Sequence, residues 1–338
     1  MTAVLTRNDV VSQAKTLKDV SFSNGALCIG VHWVQILSAF VLFYFYQTWW
    51  TFILLLLFIS ARQYGLAILL HDAQHTLLHP DKAANNRIAA WLIAAPLGTD
   101  FIGSQRSHLE HHFNLGDSSR DPDYALYCFG EPSPKRSLAQ VFSLFLFRIV
   151  GGKIFSMVAS AGEGRPDNSA PREIAIGASF VVALVRRARQ MAPRLWSVAV
   201  VQTLLLVTFS LTFGWWGYFL LWLLPVTTLA IFYNDFRIFC EHSVLAREAT
   251  SRDERMISFI SNPVERFFIA PNHMNYHAEH HLFPFVPHSQ LPALRNVIRN
   301  CPELNSGIEW RSSYFGHLVS YLRNLRRSPG TSLNSARM

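Results

Sequence analysis

Charge is scarce in this chain. Only 15% of its 338 residues are Asp, Glu, Lys or Arg, against about 25% in a usual soluble domain. That argues against a disordered chain and against a plain soluble enzyme. Cysteine is scarce too. Cys28, Cys128, Cys240 and Cys301 lie far apart and form no CxxC pair, which argues against a disulfide framework and a thiolate zinc ribbon. No GxGxxG motif precedes a helix, no cysteine set suits an iron–sulfur cluster, and no haem-binding extension is fused. The polar N-terminus carries no signal-peptide core, so insertion into a membrane is expected to use internal segments. Acidic residues are the scarcer sign, 22 against 30 Lys+Arg, for a net charge of +8. A basic excess points to nucleic acid or to an anionic membrane surface. Half of the residues are hydrophobic, which selects the membrane and leaves no role for nucleic acid.

The apolar residues are gathered in runs. Residues 26–46 and 49–70 form two, separated by Gln47 and Thr48; 195–213 and 215–233 form two more, joined at Gly214. About 20 apolar residues at 1.5 Å each cross roughly 30 Å of hydrocarbon. The pattern predicts four transmembrane helices in two hairpins. Neither hairpin tip holds a Lys or Arg, and apart from Arg62 the basic residues lie outside the runs. The positive-inside rule then predicts a multi-pass protein with both termini and the long central segment in the cytoplasm. Arg62 and Gln63, costly at membrane depth, are expected to face other helices.

Between the hairpins the chain is mixed. Residues 88–103, with Pro96 inside, read as a helix lying in or dipping into the interface. Residues 138–161 suit an amphipathic surface helix, and 162–172 read as a loop. The cluster Arg186, Arg187, Arg189 and Arg194 meets anionic headgroups or serves only as a topology signal. The stretch 311–338 reads as a basic, Ser-rich tail. One membrane domain is expected to occupy 1–338, with a cytoplasmic cap drawn from 71–194 and 234–310.

Histidine is abundant, at 14 residues, and eight of them fall in three motifs. These are His71-Asp-Ala-Gln-His75, His108-Leu-Glu-His111-His112 and His277-Ala-Glu-His280-His281. On a helix, positions i, i+3 and i+4 share a face, so each motif presents two or three imidazoles together. Imidazole suits iron, zinc, copper and nickel. Eight histidines exceed the needs of one ion, so two metals are implied, with about four ligands each. Asp72, Glu110, Glu279, Asp121 and Asp123 stand near enough in sequence to take the outer N–H of a ligand, or to be solvated surface charge. His79 either shares the face of His75 or marks the helix end before Pro80. His273 either joins the site or supports it. His32, His288 and His317 have no motif around them.

HxxxH, HxxHH and a distant HxxHH, interleaved with two apolar hairpins, resemble the membrane fatty acid desaturase family. The resemblance extends through HDAQHTLLHPDKAANN, HLEHHFNLGDSSRDPD and NPVERFFIAPNHMNYHAEHHLFPFVPHSQLPAL, and covers roughly 62–297. It implies an all-α membrane protein of four transmembrane helices in two hairpins. A helical cytoplasmic cap would hold a dimetal site of two iron ions. It also implies a ninth ligand after the fourth span, where RIFCEH places His242 behind Glu241. The ligand set is then His71, His75, His108, His111, His112, His242, His277, His280 and His281.

The activity implied is O2-dependent desaturation of a fatty acyl chain. Its electrons would come from a separate ferredoxin or b-type cytochrome. Arg106, Arg266, Arg295 and Arg299 would dock that donor or meet lipid headgroups. His277 at the head of the third motif disfavours the front-end subclass. Two other readings stay open: a hydroxylase or ketolase acting on an acyl, alkane or carotenoid substrate, and a metal-handling membrane protein without catalysis.

Overall fold

The structure is a computed structural model that describes residues 4–18, 20, 22–127, 138–152, 178–243 and 256–327. Local signals set the first elements. Thr6 and Asp9 form a reciprocal capping box at the start of α1 (Arg7–Thr16). The long apolar helix α2 (Phe22–Phe45) follows. After a three-residue connection, Thr48 and Thr51 cap the start of α3 (Trp49–Gln74) in the same reciprocal way. Asp81 caps α4 (Lys82–Ala89), which runs into a π-helical turn at Ala90–Ala94. Asp100 accepts the Ile102 and Gly103 N–H groups at the head of α5 (Phe101–Asn114). Satisfying these otherwise unpaired donors is what fixes each helix start.

Further along come α6 (Tyr124–Tyr127), α7 (Leu138–Ile149) and α8 (Ala178–Phe213). The chain then turns at Gly214, whose φ of +87° suits glycine. A π-helical segment, Tyr218–Leu223, leads through α9 (Leu224–Thr227) into α10 (Leu229–His242). The remaining elements are β1 (Ile257–Phe259), α11 (Pro263–Phe268), α12 (His277–Leu282), α13 (Leu291–Arg299), α14 (Pro302–Ser306), β2 (Glu309–Arg311) and α15 (Tyr314–Arg327).

Among the described residues, four helical stretches are long and apolar enough to cross a membrane: Asn24–Phe45, Trp49–Gln74, Arg194–Phe213 and Tyr218–His242. Val34, Leu37, Val41, Leu204 and Leu211 are exposed along them, and Tyr46, Trp49, Trp50 and Trp215 are exposed at the connections. An aromatic belt over an apolar flank is the pattern of a lipid-facing surface.

The polar pair inside the second run is accommodated by protein. Arg62 is buried, donates to Gln35 Oε1 and the Phe267 carbonyl, each at 3.1 Å, and lies over the Phe267 ring. Gln63 donates to the Trp222 carbonyl at 3.0 Å.

Several boundaries differ from the sequence reading, for one physical reason. Polar side chains end an apolar run, but they do not end a helix when the fold pairs them. The second span therefore continues through His71 to Gln74, and from Ile59 to Gln74 nearly every side chain of α3 is buried. The fourth continues through Asp235, Arg237 and Glu241 to His242. In 88–103, helix and π-turn stop near Ala94, and Gly98 at φ +73° opens the way to α5. The helix is thus shorter than the interfacial one expected.

The fold is also not purely helical. β1 and β2 form a parallel pair with Ser258 opposite Trp310. The expected basic tail begins later, because Tyr314, His317 and Tyr321, spaced along one face of α15, are buried in the core. The loop 162–172, the end of the amphipathic stretch beyond residue 152 and the tail beyond 327 lie outside the described residues. So do the side chains of Arg186, Arg187 and Arg189; Arg194 is exposed on α8.

Three buried clusters organise the interior. One joins α2, α3 and the π-helical segments through Ile36, Ile59, Leu66 and Trp222. The second joins α3 and α10 to α15 through Tyr64, Phe236, Phe259 and Tyr314. The third joins α1, α6 and α13 through Val10, Tyr127, Leu291 and Ile298. Together they bring the C-terminal ends of α3 and α10 against α5 and α12.

Candidate metal centre

Four elements deliver the nine histidines. His71 lies in the last turn of α3, and His75 is its C-cap residue. His108, His111 and His112 lie on α5, His242 ends α10, and His277, His280 and His281 lie on α12. They converge as two groups. His71, His75, His108, His112 and His280 form one, and His111, His242, His277 and His281 the other. Within each group one ligand atom per residue lies within 4.8 Å of all the others.

The HxxHH spacing explains the division. The i, i+4 pair of each motif goes to one group, and the i+3 histidine crosses to the other. His108 and His112 thus part from His111, and His277 and His281 part from His280. The groups are neighbours, since the His112 and His281 rings stack at 4.1 Å. The sequence reading of about four ligands each meets groups of five and four candidate ligands.

The donor geometry fits metal. Nε2–Nε2 separations are 2.8 Å for His75–His108, 3.1 Å for His112–His280, 3.0 Å for His242–His277 and 2.9 Å for His277–His281. Two donors cis on one ion, with bonds of about 2.1 Å, stand about 3.0 Å apart. Buried His71 has no hydrogen-bond partner on either ring nitrogen, an orphan that a ligand bond would satisfy. Protonation is suppressed as well. Burial first, and then the neighbouring imidazoles, pushes His75 down to about 3 and holds His108, His112, His280 and His281 well below the usual histidine range; for His277 burial comes first, then Arg237, then the imidazoles. Neutral imidazole is the form that binds a metal.

The acids divide. Asp121 Oδ1 meets His111 Nδ1 at 2.9 Å, while its other oxygen accepts the Tyr127 O–H and the Gly116 N–H. Burial alone would raise its pKa, but His111 and Tyr127 outweigh that and lower it. Asp123 stands 3.8 Å from the same Nδ1. Asp72 Oδ1 lies 4.0 Å from His71 Nδ1. Glu110 has the surface role instead, pairing with Arg106 at 2.9 Å. Glu279 turns away from the histidines to accept the Ser258 O–H, and burial pushes it up to about 7.

The sequence reading missed a buried network beside the four-histidine group. Glu241 accepts from Arg237 and from Tyr314 at 2.7 Å, and stands 3.5 Å from His277 Nε2. Arg237 also donates to Tyr64 at 2.7 Å. The only advance sign was the i, i+4 spacing of Arg237 and Glu241 within RIFCEH. His288 was missed as well: it pairs with Asp72 in the interior, where burial opposes its charge but the carboxylate prevails and pushes it up to about 10.

The other histidines stay outside both groups. His79 accepts the Asp81 N–H at 2.9 Å, and His273 is exposed beside Tyr276. His32 meets Asn272 at 3.3 Å, in a space left by Gly65, where a Cβ would stand 2.1 Å from its ring. Arg295 is not a surface cation as read from sequence. It is buried between the rings of Tyr276 and Trp310, 5.1 and 4.1 Å from their centroids. Arg266 and Arg299 are exposed.

The Fatty acid desaturase family matches residues 47–312, a range that includes all nine histidines. Dihydrorhizobitoxine desaturase of Bradyrhizobium elkanii is 25% identical over 251 residues, covering 71% of this chain. The aligned part spans 65% of that relative's length. With its three histidine motifs gathered into two adjacent groups, this chain belongs to the fatty acid desaturase family.

Proposed function

We propose that this protein is a multi-pass membrane oxidoreductase that desaturates a lipid acyl chain, using O2 and two electrons from a separate ferredoxin or b-type cytochrome. The observation that carries the reading is the pair of adjacent histidine groups, with nitrogens at cis-ligand spacing, in a chain of this family. His71, His75, His108, His112 and His280 would hold one iron, and His111, His242, His277 and His281 the other. Bound iron supplies the O2-dependent oxidising power for removing hydrogen from adjacent CH2 groups; zinc has no redox chemistry.

The chain's own part is positional. Burial keeps the imidazoles neutral and water away. Asp121 fixes the ring of His111 through its Nδ1. Arg237, paired with Glu241, stands 3.3 Å from His277 Nδ1, on the side of that ring away from the donor nitrogen. An open apolar groove of about 670 Å³ on the outer flank of α2 and α3, lined by Val34, Leu42, Leu54, Phe58, Phe267 and Phe268, suits contact with hydrocarbon chains of the bilayer. Exposed Arg266 and Arg299 offer positive charge for an external electron donor. Basic residues absent from both span connections support cytoplasmic termini and a cytoplasmic metal site.

Metal analysis of the purified protein tests this reading. Two irons per chain are expected; one zinc and no iron would overturn it in favour of a metal-handling protein. The name of the Bradyrhizobium elkanii relative places its chemistry on dihydrorhizobitoxine, so product analysis must also look beyond fatty acids.

A further inference from the structure

We propose that His288 is a positioning residue for the five-histidine group: it holds the Asp72 carboxylate where that carboxylate orients the imidazole of His71. The inference rests on the reading of that group as a metal site. His288 is seven residues past His281 and outside all three motifs. Its ring Nδ1 contacts Asp72 Oδ2, and its backbone N–H donates to the same oxygen at 3.2 Å. One residue thus grips one carboxylate oxygen twice. The other oxygen, Oδ1, is left facing His71 Nδ1 at 4.0 Å.

That orientation has a chemical use. A histidine that ligates through one nitrogen carries a proton on the other, and an acceptor there fixes the ring and raises its basicity. On His111 the acceptor is Asp121, at 2.9 Å; on His71 the facing carboxylate is Asp72, whose Oδ1 stands 4.0 Å from Nδ1 with no hydrogen bond between them, so its hold on the ring is by charge. The two differ in how the acid is held. Asp121 is anchored within its own loop by Tyr127 and Gly116. Asp72 sits on α3 and is anchored by a residue 216 positions away. His288 is itself fixed, with its Nε2 3.7 Å from Cys28 Sγ on α2. Asp72, His288 and Cys28 are three of the residues that line a small internal recess with Leu77, Leu78 and Pro287. His288 therefore ties the helix bearing the first motif to the segment following the third.

A purely structural clip and a positioning residue give different results. His288→Leu removes the ring donor, and His288→Gln restores a neutral one. Each variant is purified in detergent, loaded with isotopically enriched iron, and measured for iron content, release to a chelator and Mössbauer spectrum. For His288→Leu, release of one iron about tenfold or more faster is expected, with one spectral component altered and the other unchanged. The Gln variant is expected to recover most of the wild-type release rate. If the Leu variant does not fold, Asp72→Asn, which keeps the side chain's shape, must show the same selective loss.

Two irons held with wild-type release and spectrum in the folded variant overturn the inference, whatever its thermal stability. A wild-type protein that takes up no iron overturns the functional reading itself and this inference with it.

Discussion

His111 has a hydrogen-bonded outer nitrogen, and so it is the histidine whose environment is easiest to change without removing a ligand. Asp121→Asn keeps the shape but loses the charge beside Nδ1. Iron affinity is expected to fall about 10–100-fold, read by chelator competition; wild-type affinity would show that Asp121 does not act on the metal. His111→Ala is expected to abolish turnover while membrane insertion persists, and full activity would remove His111 from the ligand set. His317 offers a test away from the metals. Burial, helped by Arg311, pushes it down to about 4 from an ordinary 6.5. Below pH 6.5 the unfolded chain takes a proton that the folded chain refuses, so this contribution is complete above 6.5 and is lost as pH falls toward 4. The advantage of wild type over His317→Gln in thermal stability should therefore shrink across that window; a constant difference would refute it. At this scale the ligands were legible because i, i+3, i+4 spacing is written in the chain. Their supports were not. His288 reaches Asp72 across 216 positions, which no local pattern records; Tyr127 and Arg237 are near Asp121 and Glu241 in sequence but stand outside every histidine motif.

Helices read less well at their ends than in their middles. The hydropathy of 49–70 stops where His71 begins, yet α3 continues because Asp72 and Gln74 find partners inside the protein. The same holds for α10, where Arg237 and Glu241 satisfy each other. An apolar run therefore marks where lipid or protein covers the chain, and the helix extends as far as the fold can pair its polar groups. Close helix packing supplies the element-scale test. A Cβ at Gly25 of α2 would stand 2.7 Å from the Leu78 carbonyl oxygen, whereas one at Gly30 meets nothing within 4 Å. Gly25→Val should force α2 away from 77–78, at a cost of about 1–3 kcal/mol. Gly30→Val should stay within about 0.5 kcal/mol of wild type. Thermal unfolding in detergent reads both, and equal effects would contradict the packing described.

Across the whole molecule, grease and charge occupy different layers. The connections 46–48 and 214–217 carry no Lys or Arg, while the histidine groups lie at the opposite ends of α3 and α10. With the native cysteines replaced, Gln47→Cys should react with an impermeant maleimide in intact cells, and Arg299→Cys only after permeabilisation. The reverse pattern would invert the proposed topology. The number of spans and the convergence of the motifs were legible because membrane thickness and coordination chemistry leave few alternatives. The parallel strands Ile257–Phe259 and Glu309–Arg311 were not, since three residues pairing with partners 52 positions away carry no periodicity of their own. The most direct test of the central claim is the lipid profile of cells expressing this protein with a reductase system, in air. New double bonds in acyl chains, absent from the His111→Ala control, are predicted. Oxygenated products alone, with no new unsaturation, would contradict it.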